Sequence, residues 1–420
     1  MTVIYHFFWY VAKKRSFLFD SVEEWITIGN QKMGKEVETA VNKKTVATGR
    51  DFVSFGRTLS EADRRFRRRS FWVLLAAGLL VFGIAIMSGR YDCSMSDLAA
   101  CLFRGILDRL IDLVNLPATL FGLNYHVANP WPVTWGKDIE TIVWTVRVPR
   151  VIAVAIVGGG LALAGSSFQC VFRNPLVSEG ILGVSNGASL GAVLAIFFGL
   201  GTTLTSVCAF AGGLLAVGLA YSCSKMFRGN PTLVLVLAGT VVGSLLTAGN
   251  SIVKYLAPPD TKLPEITFWL MGSFAGITAS KLTFLAPVIL VCSFGIYKLR
   301  WQLNLMALGD DEAKALGVDT ARARKFLIIL STLITSAAVC VCGIVGWVGM
   351  VIPQVTRLVV GPDSRRLIPS AFAVGAIFLM LVDIVCRTLV VTEIPVGIVT
   401  SIIGAPIFLF LLKRVKEGWA

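Results

Sequence analysis

VPRVIAVAIVGGGLALAGSSF, residues 148–168 of the chain, is an apolar run whose one charged side chain, Arg150, stands near its start. A helix needs about 20 mostly apolar residues to cross a bilayer, so this run is long enough to span one. Comparable runs recur from Phe71 almost to Ala420. A membrane β-barrel is excluded, because its strands alternate apolar and polar residues over about ten positions. The sequence therefore predicts an all-α integral membrane protein.

The apolar runs predict about ten transmembrane helices. They cover residues 71–88, 148–168, 184–200, 203–226, 232–256, 281–299, 324–346, 348–360, 368–391 and 395–413. Lys and Arg concentrate before the first run and in every second connection, as they do in cytoplasmic loops. The long connection 89–147, predicted to be external, is the exception, because it holds Lys and Arg but balances them with Asp. This pattern predicts a multi-pass inner-membrane protein with both termini in the cytoplasm.

The overall composition agrees with this class. Of 420 residues, 55% are hydrophobic and only 15% charged, and the mean hydropathy is +0.75. The net charge of +14 is explained by the basic cytoplasmic loops, so nucleic acid is not expected as a partner. Most of the nine cysteines lie in apolar runs, where they act as small hydrophobic residues. Cys93 and Cys101 share the long external loop, so a disulfide between them is an open alternative.

Two segments of different character divide the chain. Residues 1–70 are rich in Lys, Glu and Thr between aromatic clusters, and we expect a cytoplasmic extension. Either an amphipathic helix on the membrane surface or a mobile tail would fit its pattern. Residues 71–420 form the predicted ten-helix domain. With two histidines in the whole chain, no metal site of the zinc type is expected.

Gly183, Gly187 and Gly191 recur every four residues and are predicted to share one helix face. Small residues on one face let another backbone approach closely in a membrane. Helix packing is the simplest interpretation, and a tightly packed helix beside a transport path would satisfy the same pattern.

The segment 303–318, LNLMALGDDEAKALGV, is polar and helix-forming between two predicted spans. Gly309 precedes acidic Asp310 and Asp311, and Gly317 is a typical helix stop. We expect two short cytoplasmic helices between the sixth and seventh spans. They would be either a solvated loop or a surface presented to a cytoplasmic partner.

After the fifth span, residues 263–276 read LPEITFWLMGSFAG, which is too short to cross a bilayer. We expect a re-entrant or external half-helix that contains Trp269 and ends near Gly272 and Ser273. Such a broken segment is a candidate gate at the outer mouth of a pathway, and ordinary loop packing is the alternative.

Charged residues cluster at the predicted external ends of two spans. Arg147 and Arg150 precede the second span, and Asp383 and Arg387 are four residues apart on the ninth, where they can pair. These arginines are either anchors at the membrane surface or a basic patch that receives acidic residues of a soluble partner.

Two absences bear on function. The sequence contains no G-x-x-x-x-G-K-[ST] phosphate loop, so no catalytic residue is assigned and this chain is not expected to hydrolyse ATP. Charged residues do not run through the middles of the predicted spans, as an ion-coupled carrier would need. A secondary carrier and a membrane scaffold without transport remain the alternatives from other classes.

From residue 71 to about 416 the chain resembles the iron-siderophore and cobalamin permease family (FecCD type), the membrane subunits of type II ABC importers. The motifs that carry the resemblance are RVPR at 147–150, FRNPLVSEGILGVSNGASLG at 172–191, LAGT at 237–240, FWLMGS at 268–273, ALGDDEAKALGV at 307–318, GWVGMVIPQVTRL at 346–358 and EIPVGIVTSIIGAPIFLFLL at 393–412.

This resemblance implies partners for the chain: a second copy of itself, two cytoplasmic ATPase subunits, an external binding protein and membrane lipid. ATP and Mg would be used by the ATPase subunits, and this chain would bind no cofactor. The expected cargo is a metal chelate, of the iron-siderophore, haem or cobalamin type. An oxyanion such as molybdate is the alternative cargo.

The resemblance also implies roles for individual residues. The cytoplasmic gate would lie at Asn230, Pro231 and Thr232, and the three arginines would accept carboxylates of the binding protein. Contact with the ATPases would come from Gly309, Asp310, Asp311, Glu312, Ala315, Leu316 and Gly317. One departure is Gln354, which stands where family members commonly have histidine.

Overall fold

A computed structural model describes residues 72–89, 91, 94–120, 129–133, 135–227 and 231–418. Within these ranges the chain forms helices and connecting loops, with no strand. The extension 1–70, Cys93 and Asn230 lie outside the described residues, so the extension stays a prediction and the question of a Cys93–Cys101 disulfide stays open.

Fourteen helices are described below, and we number them in chain order. They are α1 (Trp72–Met87), α2 (Met95–Leu120), α3 (Lys137–Val171), α4 (Val184–Phe197), α5 (Gly201–Lys225), α6 (Pro231–Leu256), α7 (Lys262–Met271), α8 (Ala279–Lys298), α9 (Arg300–Leu308), α10 (Asp310–Ala315), α11 (Thr320–Cys342), α12 (Val348–Val360), α13 (Ser364–Thr388) and α14 (Val396–Gly418).

Each of the ten predicted spans overlaps one of these helices. Six of the helices are long and apolar enough to cross a membrane, namely α3, α5, α6, α8, α11 and α13. Four shorter apolar helices, α1, α4, α12 and α14, coincide with the remaining predicted spans. The all-helical membrane fold is thus confirmed, and the number of crossings stays a prediction.

Helix α3 is the centre of the bundle. In its most apolar stretch 83% of the residues are buried, against 28% to 33% in α5, α6 and α8. Its sequence explains this position, because Gly158, Gly159, Gly160 and Gly165 leave room for neighbouring helices on several sides. A Cβ atom on Gly158 would overlap the carbonyl of Gly375 in α13. The two backbones therefore touch where both residues are glycine.

The predicted half-helix and the two predicted short helices are present. Helix α7 has ten residues and lies between α6 and α8, as expected for a segment too short to span. Helices α9 and α10 have nine and six residues and are separated by Gly309. We call the end of the bundle that holds α9 and α10 the predicted cytoplasmic end, and the opposite end the predicted external end.

The region between the first two spans differs from the sequence prediction. The long external loop contains the 26-residue helix α2, which we did not predict. The second span begins earlier than residue 148, because α3 starts at Lys137 and passes through a π-helical stretch, Ile142–Arg147. RVPR therefore lies inside a continuous helix, and Pro149 is accommodated beside the widened π turn.

Candidate translocation and coupling sites

The connection between α9 and α10 is a sharp break at Gly309. This residue has φ +149°, a backbone conformation that residues other than glycine rarely adopt. A Cβ atom there would also overlap the carboxylate of Glu312, which folds back over the break. Gly317, with φ +83°, ends the segment after α10. Two glycines thus set the angle at which α10 stands against the bundle.

An ion pair fixes α10 to the following span. Both carboxylate oxygens of Asp310 accept hydrogen bonds from Arg324 of α11, at 2.8 and 2.7 Å. Burial opposes ionisation of Asp310, but the hydrogen bond and charge of Arg324 outweigh it and lower the pKa of Asp310 below its ordinary value. Asp311 and Leu316 are exposed instead. Helix α10 therefore has one tethered side and one side open to a partner.

A second tether holds α9. Asn304 donates a hydrogen bond to Asp363 at 2.6 Å and accepts one from the backbone of Ser364, also at 2.6 Å. Asp363 is at the same time the N-cap of α13 and accepts from the backbone of Arg365. A displacement of α9 is thus transmitted directly to the start of α13.

The loop 172–183 connects α3 to α4 and packs into the bundle beside α12. Gln354 of α12 donates to the carbonyl of Pro175 at 2.7 Å and to Gln169 at 3.1 Å. Gln169 in turn donates to the carbonyls of Val177 and Met350. Gln354, the departure noted in the sequence, is therefore part of an amide network that pins this loop.

One residue of this loop was missed by the sequence analysis. Glu179 is only 4% exposed, its carboxyl group lies against Gly349 at the start of α12, and Oε2 has no hydrogen-bond partner. An isolated acidic residue in a loop gives no sequence signal of burial, so only the packing of the loop reveals it.

The predicted cytoplasmic gate is described in part. Pro231 and Thr232 begin α6, with Pro231 exposed and Thr232 half-buried, and Asn230 lies outside the described residues. Farther along α6, a cavity of about 410 Å³ opens between this helix and the start of α4. Its polar lining includes Asn186, which donates to the Gly243 carbonyl at 2.9 Å and to Thr247 at 3.1 Å.

The half-helix α7 ends at a junction of three helices. Ser273 donates its backbone N–H to the carbonyl of Cys342 at 2.8 Å, and Val396 donates to the carbonyl of Gly272 at 2.9 Å. Gly272 has φ +75° and faces the carbonyl of Ile344. The ends of α7 and α11 and the start of α14 are therefore joined backbone to backbone at the predicted external end. Trp269 packs beside this junction, against the small residues of α4 and α5.

The predicted packing glycines have different roles. Gly187 and Gly191 of α4 face α5 so closely that a Cβ atom on either would overlap the carbonyl of Gly212 or Cys208. Gly183 stands just before α4 with φ +80° and contacts α6 instead. Two of the three glycines share the predicted face, and the third forms the turn into the helix.

The three external arginines are buried. Arg147, Arg150 and Arg387 are 4% to 6% exposed. Arg150 donates to Asp383 at 2.8 Å and to Glu393 at 2.9 Å, and the predicted pair between Asp383 and Arg387 is present at 2.9 Å. Burial and internal pairing leave these guanidinium groups little surface for the carboxylates of another protein.

Two of these arginines donate hydrogen bonds to backbone carbonyls. Arg147 donates to the carbonyls of Ile86 and Met87 at 3.1 and 3.2 Å. Arg387 donates to the carbonyls of Ala85 and Ser88, both at 2.9 Å. The arginines therefore bind the end of α1 to α3 and α13. In this arrangement the three guanidinium groups are engaged within the chain, so their docking role stays a prediction and would require the cluster to open.

Among the described residues, no group of three or more His, Cys, Asp or Glu side chains is placed to hold a metal ion. The apolar bundle, the broken helix at one end and the tethered short helices at the other define a helical membrane permease. Comparison with known proteins gives the family. The FecCD transport family matches residues 75–414, and the chain belongs to it.

Several curated relatives are similar over about two thirds of this chain. The molybdate import system permease protein MolB of Haemophilus influenzae is 42% identical over 281 residues, 66% of this chain and 83% of the relative. The cobalamin permease BtuC of Halobacterium salinarum is 37% identical, covering 68% and 78% of the two chains. The hemin permease HmuU of Yersinia pestis is also 37% identical, covering 67% and 87%.

A solved structure shares the fold. It is described as a metal-chelate type ABC transporter in an inward-facing conformation. The likeness has a TM-score of 0.69 at 34% identity and covers 82% of this chain and 98% of the other. This chain is thus a transport protein of the ABC permease kind.

Proposed function

We propose that the chain is the transmembrane subunit of an ATP-driven importer that moves a metal chelate into the cytoplasm by alternating access. The observation that supports this proposal is the pair of short helices α9 and α10, which lie between two spans in the chain and are tethered to α11 and α13 through Arg324 and Asn304. A force applied to α10 would reach two spans through hydrogen bonds to charged groups, which are strong contacts.

The proposal includes four kinds of partner. Two cytoplasmic ATPase subunits would contact the exposed Asp311 of α10 and Leu316 just after it, and they would use ATP and Mg, so this chain would bind no cofactor. A second copy of the chain would complete the path, and an external binding protein would deliver the cargo. Membrane lipid would surround the bundle, with both termini in the cytoplasm.

The cargo class is supported by relatives described as cobalamin and hemin permeases and by the apolar character of the spans. A bulky chelate handed over by a partner needs a smooth path rather than a tight charged site. Molybdate is the second candidate, because the relative that is 42% identical is described as a molybdate permease.

Uptake into proteoliposomes tests this proposal. The purified permease–ATPase complex, with ATP inside, would receive a binding protein and one labelled cargo from a panel of iron chelates, haem, cobalamin and molybdate. We expect ATP-dependent uptake of a chelate. ATP-dependent uptake of molybdate alone would select the second candidate, and accumulation driven only by an ion gradient would contradict the importer.

A further inference from the structure

Helix α2 has two opposite faces of different character. One face is packed: Leu98 and Cys101 are 1% exposed, and Gly105 lies directly against the ring of Trp144 in α3. The opposite face presents large apolar side chains that are more than half exposed, at spacings that align them along the helix. These residues, which we call the α2 stripe, are Phe103, Ile106, Leu110 and Val114.

The contacts of α2 fix its depth. Arg147 binds the carbonyls of Ile86 and Met87 and so marks the level at which α1 ends. Trp144 lies three residues earlier in the same π-helical stretch of α3, and at the α-helical rise of about 1.5 Å per residue this separation is at most about 4.5 Å. Because Gly105 touches Trp144, the middle of α2 crosses α3 within about one helical turn of the end of a membrane span. The interfacial layer of a bilayer is itself roughly 5–8 Å thick on each side.

The surroundings of the stripe are those of a membrane interface. Trp131 is 46% exposed and packs edge-on against Phe103. Arg109 stacks on Trp144 at 3.7 Å, and Arg104 pairs with Asp108. Exposed aromatic rings and paired charges beside an apolar face are typical of helices that lie in the plane of the headgroup layer.

We propose that α2 is an interfacial anchor whose stripe inserts into the phospholipid leaflet at the predicted external end. Four large apolar side chains in a row would be unfavourable in water, and at this depth the acyl chains are the nearest apolar phase. The anchor would hold the first turns of α3 at a fixed depth relative to the bilayer. Arg147, Arg150 and Arg387, which we call the arginine cluster, would be held with them. This inference depends on the fold alone and does not require the proposed cargo or partners.

Site-specific photo-crosslinking tests the anchor. The full permease, with p-benzoyl-phenylalanine at Leu110 or, separately, at Phe103, would be reconstituted in nanodiscs of a single phospholipid and irradiated. The matched control is Asp112, which lies on the side of α2 away from the stripe, beyond the packed residues Leu98 to Gly105, and is exposed. A second control is Leu79 of α1, which is 65% exposed on a helix that coincides with a predicted span.

We expect the mass of one phospholipid to be added at Leu110, at Phe103 and at Leu79, with at least a tenfold lower yield at Asp112. A crosslink from the stripe to a second copy of the chain would overturn the anchor, as would one to an added binding protein. A lipid adduct at Leu79 without one at Leu110 or Phe103 would overturn it too. None of these outcomes depends on transport, so failure of the anchor is distinguishable from failure of the proposed function.

Discussion

Arg324 binds both carboxylate oxygens of Asp310 through a single nitrogen, although the two residues belong to different helices. The pair is half-buried, with the Arg324 side chain 11% exposed and the Asp310 side chain 29% exposed. Together with Gly309 it decides how α10 stands relative to α11. The pair therefore joins the part of the chain proposed to meet the ATPases to a helix of the central bundle.

Replacement of Arg324 by methionine should uncouple transport from ATP. Loss of a hydrogen bond to a charged group costs about 1.5–3 kcal/mol, so α10 should lose its fixed position and uptake should fall roughly tenfold or more. The measurement is ATP-dependent uptake in proteoliposomes at equal permease content. Arg322→Met is the matched control, because the neighbouring Arg322–Asp319 pair is exposed and should contribute little. Equal losses in the two variants would contradict the coupling role.

The same pair should set a limited pH dependence. The pKa of Asp310 is lowered in the folded protein, so its contribution to stability is complete above the ordinary value of 3.8 and is lost as pH falls through the lowered value. The difference in melting temperature between the parent protein and Arg324→Met should therefore be constant from about pH 7 to 5 and shrink below about pH 4. A difference that already fades near pH 6 would show that Asp310 is not the titrating partner.

The segment 303–318 with its two short helices could be predicted from the sequence because its signals are local. Gly309, Gly317 and the acidic residues between them mark a break and a stop within a few positions, and the structure has both. The burial of Arg147, Arg150 and Arg387 could not be predicted from the sequence. It depends on Asp383 and Glu393, more than 230 residues from Arg150 along the chain, and on carbonyls at the end of α1.

Helix α2 shows a different limit. The spacing of its apolar residues has a helical period, but balanced charges in a long connection also fit a solvated loop. Contact with Trp144 of α3 places the helix, and such a contact has no local signature. Length and hydropathy thus indicate which segments enter the membrane, whereas tertiary contacts decide what lies at its surface.

Close packing of α4 on α5 predicts a strong effect of one added methyl group. Gly187→Ala should lower the free energy of unfolding by about 1–3 kcal/mol, because the new Cβ atom would overlap the carbonyl of Gly212. Gly218→Ala on α5 is the control, since no atom lies within 4 Å of the position its Cβ would take. That variant should stay within about 1 kcal/mol of the parent protein. Melting in detergent measures both, and a larger loss at Gly218 would refute the packing account.

The arginine cluster predicts unequal effects for its two carboxylates. Asp383 is 1% exposed and pairs with both Arg150 and Arg387, so Asp383→Asn removes the carboxylate that these two buried guanidinium groups share. The expected cost is about 3–5 kcal/mol. Glu393 pairs with Arg150 alone, and its side chain is 28% exposed. In Glu393→Gln the guanidinium group of Arg150 keeps its pair with Asp383, so that variant should cost about 1 kcal/mol or less.

Thermal unfolding of the two variants in the same detergent separates structural pairing from docking. If the cluster mainly holds α1, α3 and α13 together, Asp383→Asn should melt well below Glu393→Gln, and both should bind the external binding protein as the parent does once folded. If Glu393→Gln instead left stability unchanged but strengthened that binding several-fold, Arg150 would be a docking residue that Glu393 normally occupies. Equal melting temperatures for the two variants would contradict the buried network, because the buried Asp383 pairs with two arginines and the more exposed Glu393 pairs with one.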